Sequence, residues 1–283
     1  MNRSCTGVTR CGGVEFRWGE RTYIMGVINV TPDSFSGDGL GYDVEAAVAL
    51  GKRFAADGAD ILDIGGESTR PNAQPVSVEE ELSRVIPVIE RLAREAPLPL
   101  SIDTYKWEVA REALSSGAAM INDIWGLRHD HRLAELAAAK GVPIALMSNQ
   151  RDGPCEDIMP EVISTLRRSV SMATALGVSW ENIIVDPGVG FGKTLEQNLE
   201  IIRRLDELQC LGRPVLIGTS RKSLIGMVLD LPADQRLEGT AATLAISIAR
   251  GADMVRIHDV AGMARVCRMS DAIMRGRCQR QLA

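Results

Sequence analysis

Eight short apolar runs rich in Ile, Val and Met recur along the chain, and nearly every gap between them holds a segment with helical spacing. The runs are "YIMGVINV" (23–30), "DILDIGG" (60–66), "PLSIDT" (99–104), "MINDIW" (120–125), "PIALMS" (143–148), "IIVDPG" (183–188), "PVLIGTS" (214–220) and "MVRIHDV" (254–260). Short continuous apolar runs that alternate with helices predict strands buried on both faces of a parallel sheet. The helices carry their own signatures. Ser77 and Glu80 are spaced as a capping box, and Leu82, Val85, Ile86, Ile89, Leu92 and Ala93 follow at steps of three and four. Val44, Ala47, Val48, Gly51, Phe54 and Ala55 form a second such stripe, and Leu195, Leu199, Ile202 and Leu205 a third. Gly117, Gly141, Gly177, Gly212 and Gly251 stand where helices should stop before the next strand.

Eight β/α units without a linker or a shift of composition predict one (β/α)8 TIM barrel, whose usual size of about 250 residues suits this chain. An open doubly wound sheet is the alternative on rhythm alone. The stretch "VEFRWGERTYIM" reads as a short hairpin capping the bottom of the barrel, residues 1 to 12 as a mobile leader, and 13–283 as a single domain.

Composition narrows the function classes. Hydrophobic residues make up 45% and charged residues 24%, as in an average soluble globular protein. The formal charge of −5 comes with Arg residues spread along the chain, so there is no basic footprint for nucleic acid. The six cysteines, Cys5, Cys11, Cys155, Cys210, Cys267 and Cys278, show no CxxC pair or metal-ligand spacing. No apolar run approaches the roughly 18 residues of a membrane span, and the first residues lack an apolar signal core. Reduced thiols in a cytoplasmic protein are expected.

In such a barrel, side chains at the C-terminal strand ends face the reacting groups. Here those positions are polar on seven of the eight strands: Asn29, Asp63 and Glu67, Asp103, Asn122 with Asp123, Asp186, Ser220 to Ser223 with Lys222, then Arg256, His258 and Asp259. Any one carboxylate could be only a helix N-cap or a salt-bridge partner. Their convergence points to a ligand. Asp103, Asn122 and Asp186 suit a heterocycle whose edge alternates donors and acceptors. Lys222, Arg256 and His258 lie on the seventh and eighth strand ends, where barrels most often hold phosphate. Two long loops, "NVTPDSFSGDGLGYD" and "GGESTRPNAQPVS", carry Asp33 and Arg70, and Phe35 stands apolar in the first; they read as lids.

The stretch "DPGVGFGKT" (186–194) imitates a P-loop, but Pro187 occupies the position of the first glycine and has no N–H for phosphate. Asp186 is then a strand-end group, and Lys193 a surface or helix-start charge. His129 and His131 in "RHDHR" read as part of a solvated turn.

The strings "MGVINVTPDSFS", "DILDIGGESTRP", "SIDT", "IND", "IIVDPGVGFGKT", "GTSRKSLIG", "RLEGT" and "GADMVRIHDV" run in order from 25 to 260. They resemble the dihydropteroate synthase family, (β/α)8 barrels that join 4-aminobenzoate to 6-hydroxymethyl-7,8-dihydropterin pyrophosphate in folate synthesis. The resemblance implies that Asp103, Asn122, Asp186 and Lys222 hold the pterin, with Met147 and Phe191 lining its pocket. It implies that Arg256 and His258 hold the pyrophosphate, that Asn29 ligates or orients a Mg²⁺ ion on it, and that Thr69 and Arg70 complete the enclosure. Phe35, Pro71, Ser223 and the Lys222 backbone would frame the 4-aminobenzoate, where sulfonamides compete. Lys222, Arg256, His258, Asp103 and Asp186 are the expected catalytic groups, and a homodimer is the expected assembly.

Three departures from the family pattern stand out: Ser148 where a His is frequent, Asn72 where Gly is usual, and "SGDGLG" in the first lid. Two rivals share the barrel. A pterin-binding methyltetrahydrofolate:corrinoid methyltransferase domain has no pyrophosphate to hold, so "SRKS", "RIHD" and the "STRP" loop speak against it. A silent pterin-binding subunit should have lost Asn29, Lys222, Arg256 or His258, and all are present. Replacing Arg256 by Ala is expected to cripple pyrophosphate-dependent binding and to leave stability nearly intact.

Overall fold

The computed structural model describes residues 6–31, 43–68, 74–151, 153 and 156–276. A two-stranded antiparallel ribbon, β1 (Gly7–Cys11) and β2 (Val14–Trp18), precedes eight parallel strands. These are β3 (Tyr23–Asn29), β4 (Ile61–Gly65), β5 (Leu100–Asp103), β6 (Met120–Asp123), β7 (Ile144–Met147), β8 (Ile183–Asp186), β9 (Leu216–Ile217) and β10 (Met254–Ile257). They pair in the order β8-β7-β6-β5-β4-β3-β10-β9, and a parallel bridge between Val185 and Val215 joins the two ends. The sheet is thereby closed into a barrel, and every predicted strand is present.

Between the strands lie α1 (Val44–Asp57), α2 (Val78–Glu95), α3 (Trp107–Ser115), α4 (Arg132–Lys140), α5 (Ile158–Ala175), α6 (Leu195–Arg203), and both α7 (Ser223–Leu229) and α8 (Leu237–Ala249) after β9; α9 (Val260–Arg275) follows β10. Asp43 and Ser77 cap α1 and α2 by accepting backbone N–H groups of Ala46 and Glu80. The reciprocal half of the Ser77 box is replaced, because the Glu80 carboxylate pairs with Arg84. The full capping box belongs to Thr194 and Gln197 at α6. On α6 the expected stripe shifts: Leu199 is exposed, and Ile201 is buried in its place.

The period of two along a strand sorts the barrel's contents. Ile24, Ile28, Leu62, Ile64, Ile102, Ile121, Ile144, Val185, Ile217 and Val255 face outward and join the helices in one large core. The alternate positions face the barrel axis. At the N-terminal ends these are Met25, Ile61, Met120, Ala145, Ile184, Leu216 and Met254, which form a separate apolar cluster with Cys11, Phe16, Trp18 and Tyr23. Two residues further along the same strands, the inward positions become Asp63, Asn122, Met147, Asp186 and Arg256. One alternation thus makes a dry floor and a polar mouth.

The ribbon seals that floor. Its turn is Gly12–Gly13, with φ of 53° and 82°, the left-handed pair that a tight two-residue hairpin requires. A side chain on Gly12 would press on Pro99 and Ala119, which lead into β5 and β6. Thr9 donates to the Glu181 carbonyl and accepts from Trp18 Nε1 at 2.8 Å. Two expectations are corrected here. Gly7–Cys11 is a strand and not part of a leader, and the hairpin turns at Gly12–Gly13, so that "VEFRW" pairs backward with it and not forward with "TYIM".

Candidate active site

Arg256 is the hub of the mouth. It enters from the inner face of β10, donating from Nε to Asp63 Oδ2 and from Nη2 to Asp103 Oδ2, each at 2.6 Å. Asn122 Nδ2 donates to the same Asp63 oxygen at 3.0 Å. Asp63 is fully buried, and its Oδ1 has no hydrogen-bond partner among the described residues. Burial pushes the Asp103 carboxyl up to about 7; Arg256 opposes this, while Asp63, Glu81 and Asp123 add to it. Burial works against the Arg256 charge, but Asp63, Asp103 and Asp186 outweigh it and hold the guanidinium firmly protonated. The cluster is two carboxylates and an amide around one cation, with donors and acceptors left to offer.

A second group stands across the mouth on β8 and β9. The Asp186 carboxylate accepts the Gly188 N–H at 2.7 Å and is raised by burial, against the pull of Lys222. Burial pulls Lys222 down to about 8, with Asp186 opposing. Its Nζ donates to the Val189 carbonyl and lies 4.7 Å from the Phe191 ring centre. Phe191, Met147 and Ile124 form a small apolar cluster with Tyr105 and Trp125 packed against it. Carboxylates and an amide on one side, and an apolar wall with a lysine on the other, suit a flat polar ring.

The loop after β8 is held by a residue that the sequence pointed elsewhere. Lys193 is not a surface charge. Its Nζ donates to the carbonyls of Ser148 and Gly188 at 2.8 Å and of Phe191 at 3.2 Å. A lysine ammonium has three N–H donors, and here they tie a glycine-rich loop into a fixed curve. Gly188, at φ 70°, passes so close to the Ser148 carbonyl that a Cβ would fall 2.0 Å from it. Ser148 is itself fully buried and exchanges hydrogen bonds with Gln150, which is a structural use of the position where the family often has His.

On the β9 and β10 ends, His258 Nδ1 lies 3.1 Å from Ser220 Oγ. Burial and the neighbouring Arg256 and Arg221 push the His258 imidazole down to about 3, so at neutral pH it is an uncharged hydrogen-bonding group. Arg221 pairs with Asp259, Nε to Oδ2 at 2.8 Å, and Ser223 opens α7. Asn29 shares a register layer with Gly65, Asp103 and Asn122. A Cβ on Gly65 would sit 3.6 Å from Asp103 Oδ2 and 3.7 Å from Asn29 Oδ1, so the glycine keeps that part of the mouth open.

Phe35, Thr69, Arg70 and Pro71, with Asp33, lie outside the described residues. Glu67 and Asp123, polar at strand ends, serve the frame. Glu67 accepts from Tyr105 Oη at 2.9 Å and from Lys106 Nζ at 2.6 Å, and Lys106 also holds Glu81 at 2.6 Å. Asp123 points to the helix side and accepts the N–H groups of Trp125 and Leu127 at 2.8 and 2.6 Å. His129 stacks on Trp125 with ring centres 4.1 Å apart. Among the described residues no three His, Cys, Asp or Glu side chains gather as a metal site. Asp63 is the group whose part the sequence left unassigned; the inward alternation of β4 is the signal that marks it.

Residues 25–258 match the model of a family described as pterin binding enzyme. A dihydropteroate synthase of Bacillus subtilis is 52% identical over 90% of this chain and 90% of its own. One from Clostridium beijerinckii is 49% identical over 94% of this chain and 99% of its own. The chain belongs to the dihydropteroate synthase family of pterin-binding enzymes. A solved dihydropteroate synthase of Xanthomonas albilineans with 4-aminobenzoic acid superposes with a TM-score of 0.89 at 44% identity, covering 95% of this chain and 98% of that one. Within the dihydropteroate synthase barrel, the mouth described above brings Asp63, Asn122 and Asp186, all buried, together with Asp103 and Arg256.

Proposed function

We propose that this chain is a dihydropteroate synthase that transfers the pterinylmethyl group from 6-hydroxymethyl-7,8-dihydropterin pyrophosphate to the amine of 4-aminobenzoate, in folate biosynthesis. The observation that carries the reading is the joining of Asp63, Asp103, Asn122 and Arg256 in one hydrogen-bonded cluster facing Asp186, Lys222 and Phe191. Asp103, Asn122 and Asp186 supply acceptors and a donor to the ring edge, and Met147 and Phe191 supply its apolar walls. Arg256, whose guanidinium has five N–H groups, and the neutral His258 face the leaving pyrophosphate.

The C–O bond between the pterin methylene and the pyrophosphate breaks, leaving positive charge on the pterin and negative charge on the leaving group. Asp186 and Asp103 stabilise the first, and Arg256 and His258 the second. The 4-aminobenzoate nitrogen then bonds to the methylene and loses a proton. No nucleophilic side chain is needed. Ser223 and the Lys222 backbone hold the aminobenzoate, a subsite to which the family resemblance adds Phe35 and Pro71, as it adds Thr69 and Arg70 to the pyrophosphate.

Mg²⁺ belongs to the proposal. Asn29 offers one hard, neutral oxygen beside the open ground over Gly65, which is too little to hold the ion alone but suits one that arrives on a pyrophosphate. Bound there, Mg²⁺ would neutralise charge on the leaving group. A homodimer is also proposed, and the apolar residues exposed on α8 and α9, Ile246, Met269, Ile273 and Met274, support it. A cytoplasmic setting is in keeping with the free thiols of Cys11, Cys210 and Cys267, and no helix among the described residues is long and apolar enough to cross a membrane.

Purified protein given the pterin pyrophosphate, labelled 4-aminobenzoate and Mg²⁺ should form labelled dihydropteroate. No product from protein whose fold is verified by circular dichroism would overturn the reading.

A further inference from the structure

The stretch "RLEGT" (236–240) lies on α8 and its N-terminal edge, away from the ring and pyrophosphate groups, and the chemistry proposed above gives it no task. Its contacts converge on one residue. Arg221, between Ser220 and Lys222, has φ of 57°, a left-handed conformation unusual for a residue with a side chain. The Lys222 N–H donates to the Thr219 carbonyl at 3.2 Å, so residues 219–222 form a tight turn with Arg221 at its third position. A positive φ at that position ordinarily calls for glycine. Here all three polar parts of Arg221 are held from outside. Its N–H donates to Thr240 Oγ1 at 3.1 Å. Its carbonyl accepts Arg236 Nη1 at 2.9 Å. Its guanidinium is paired with Asp259.

The rest of the stretch locks this mount in place. Thr240 is fully buried, and its hydroxyl also donates to the Arg236 carbonyl at 2.8 Å, so both its donor and its acceptor roles are used. Arg236 Nε donates to the Leu231 carbonyl at 3.0 Å, which fixes the guanidinium under α7. A Cβ on Gly226 would lie 2.2 Å from Arg236 Nη2, and one on Gly239 would lie 2.2 Å from Ile225 Cγ2. Both glycines therefore allow α7 to seat on this platform. Lys222 and Ser223, which follow Arg221 directly, take their placement from it.

We propose that Arg236 and Thr240 are positioning residues for 4-aminobenzoate: they hold the left-handed turn at Arg221 and so aim the Lys222 backbone and Ser223 at that substrate. This rests on the functional reading above. The pterin is held chiefly from β5, β6 and β8, and the Lys222 side chain that reaches it is anchored separately on the Val189 carbonyl, so loosening the turn should weaken the two substrates unequally.

The test uses the whole chain with Thr240→Val, which keeps the shape and removes the hydroxyl, and Thr240→Ser, which keeps the hydroxyl. Arg236→Lys, which keeps the charge and loses the fork, is a second probe should Thr240→Val fail to fold. Loss of a buried hydrogen-bond partner should raise the KM for 4-aminobenzoate about tenfold in Thr240→Val and in Arg236→Lys. The KM for the pterin pyrophosphate should stay within about twofold, and Thr240→Ser should return both to wild-type values. Equal rises for the two substrates, no rise in folded Thr240→Val or Arg236→Lys, or failure of Thr240→Ser to restore binding would each overturn the proposal. An inactive wild-type chain overturns the functional reading and this inference together; an active one with unaffected variants overturns this inference alone.

Discussion

Arg256 balances two buried carboxylates, and that fact changes what its removal should do. With the guanidinium gone, Asp63 and Asp103 would face each other with no cation between them. Breaking one side of a buried ion pair costs about 3 kcal/mol or more. The sequence, which shows Arg256 only as a strand-end cation, suggested intact stability for Arg256→Ala; the geometry argues the reverse. The loss should be pH-dependent. Asp103 already sits near 7, above its ordinary value, and without Arg256 it moves higher. A carboxyl raised in the folded state binds a proton that the unfolded chain lacks, so stability falls as pH rises toward the folded value and is regained on acidification. Melting of Arg256→Ala should therefore trail the wild type by several degrees at pH 8 and draw closer at pH 5.5. A gap independent of pH would count against this account. Lys222 gives a second residue-level expectation. Its ammonium, lowered to about 8 by burial, should make kcat/KM fall on the alkaline side with an apparent pKa near 8. In Lys222→Arg that limb should vanish, whatever activity remains.

At the scale of elements, the loop from Asp186 to Thr194 shows how a motif and its geometry part company. The glycines and Lys193 read as a phosphate cradle, yet the lysine binds three carbonyls of its own surroundings. Lys193→Met should leave the fold in place while freeing the loop that carries Phe191, lowering pterin affinity by about tenfold in a direct binding measurement. An unchanged affinity would restore the reading of Lys193 as a mere surface charge. The failure at Lys193 has a plain cause: its partners are backbone carbonyls brought together by tertiary folding, and no residue type announces them. The strands behaved oppositely. A strand buried on both faces must be apolar along its length, so all eight were legible as runs, and the break in polarity at Asp63, Asp103, Asn122 and Asp186 marked the mouth. The ribbon fell between these cases. "CGGV" offers a Gly–Gly turn, but "GVTRC" buries only Thr9 and Cys11 strongly, and two inward side chains make a faint alternation.

Across the whole molecule, burial and charge are arranged so that the fold is stabilised by protons. Burial raises Asp103 and Asp253 to about 7 and Asp123 to about 6. Asp253 lies at the opposite end of the barrel from the mouth, before β10, accepting the Val215 N–H at 3.0 Å. Its Oδ1 has no partner among the described residues, so its neutral form is favoured. Each group has a folded value above its ordinary one, so each lowers stability as pH climbs toward that value. His258 works in the opposite sense. Held neutral, with a value near 3, it costs stability only below about 6.5, where the unfolded imidazole takes a proton. Between pH 6 and 8 the carboxyls dominate, by roughly 3 kcal/mol for the pair near 7, only slightly offset by Lys222, whose lowered value favours the folded state as pH nears 8. A chain of this size should then melt about 5 °C lower at pH 8 than at pH 6. Asp253→Asn keeps an acceptor for Val215 and cannot ionise. It should remove about half of that slope while leaving turnover untouched, because Asp253 touches none of the mouth groups. A wild-type melting temperature that is flat or rising over this interval would show that the raised carboxyls do not govern stability. A slope unchanged in Asp253→Asn would place its source in the mouth alone.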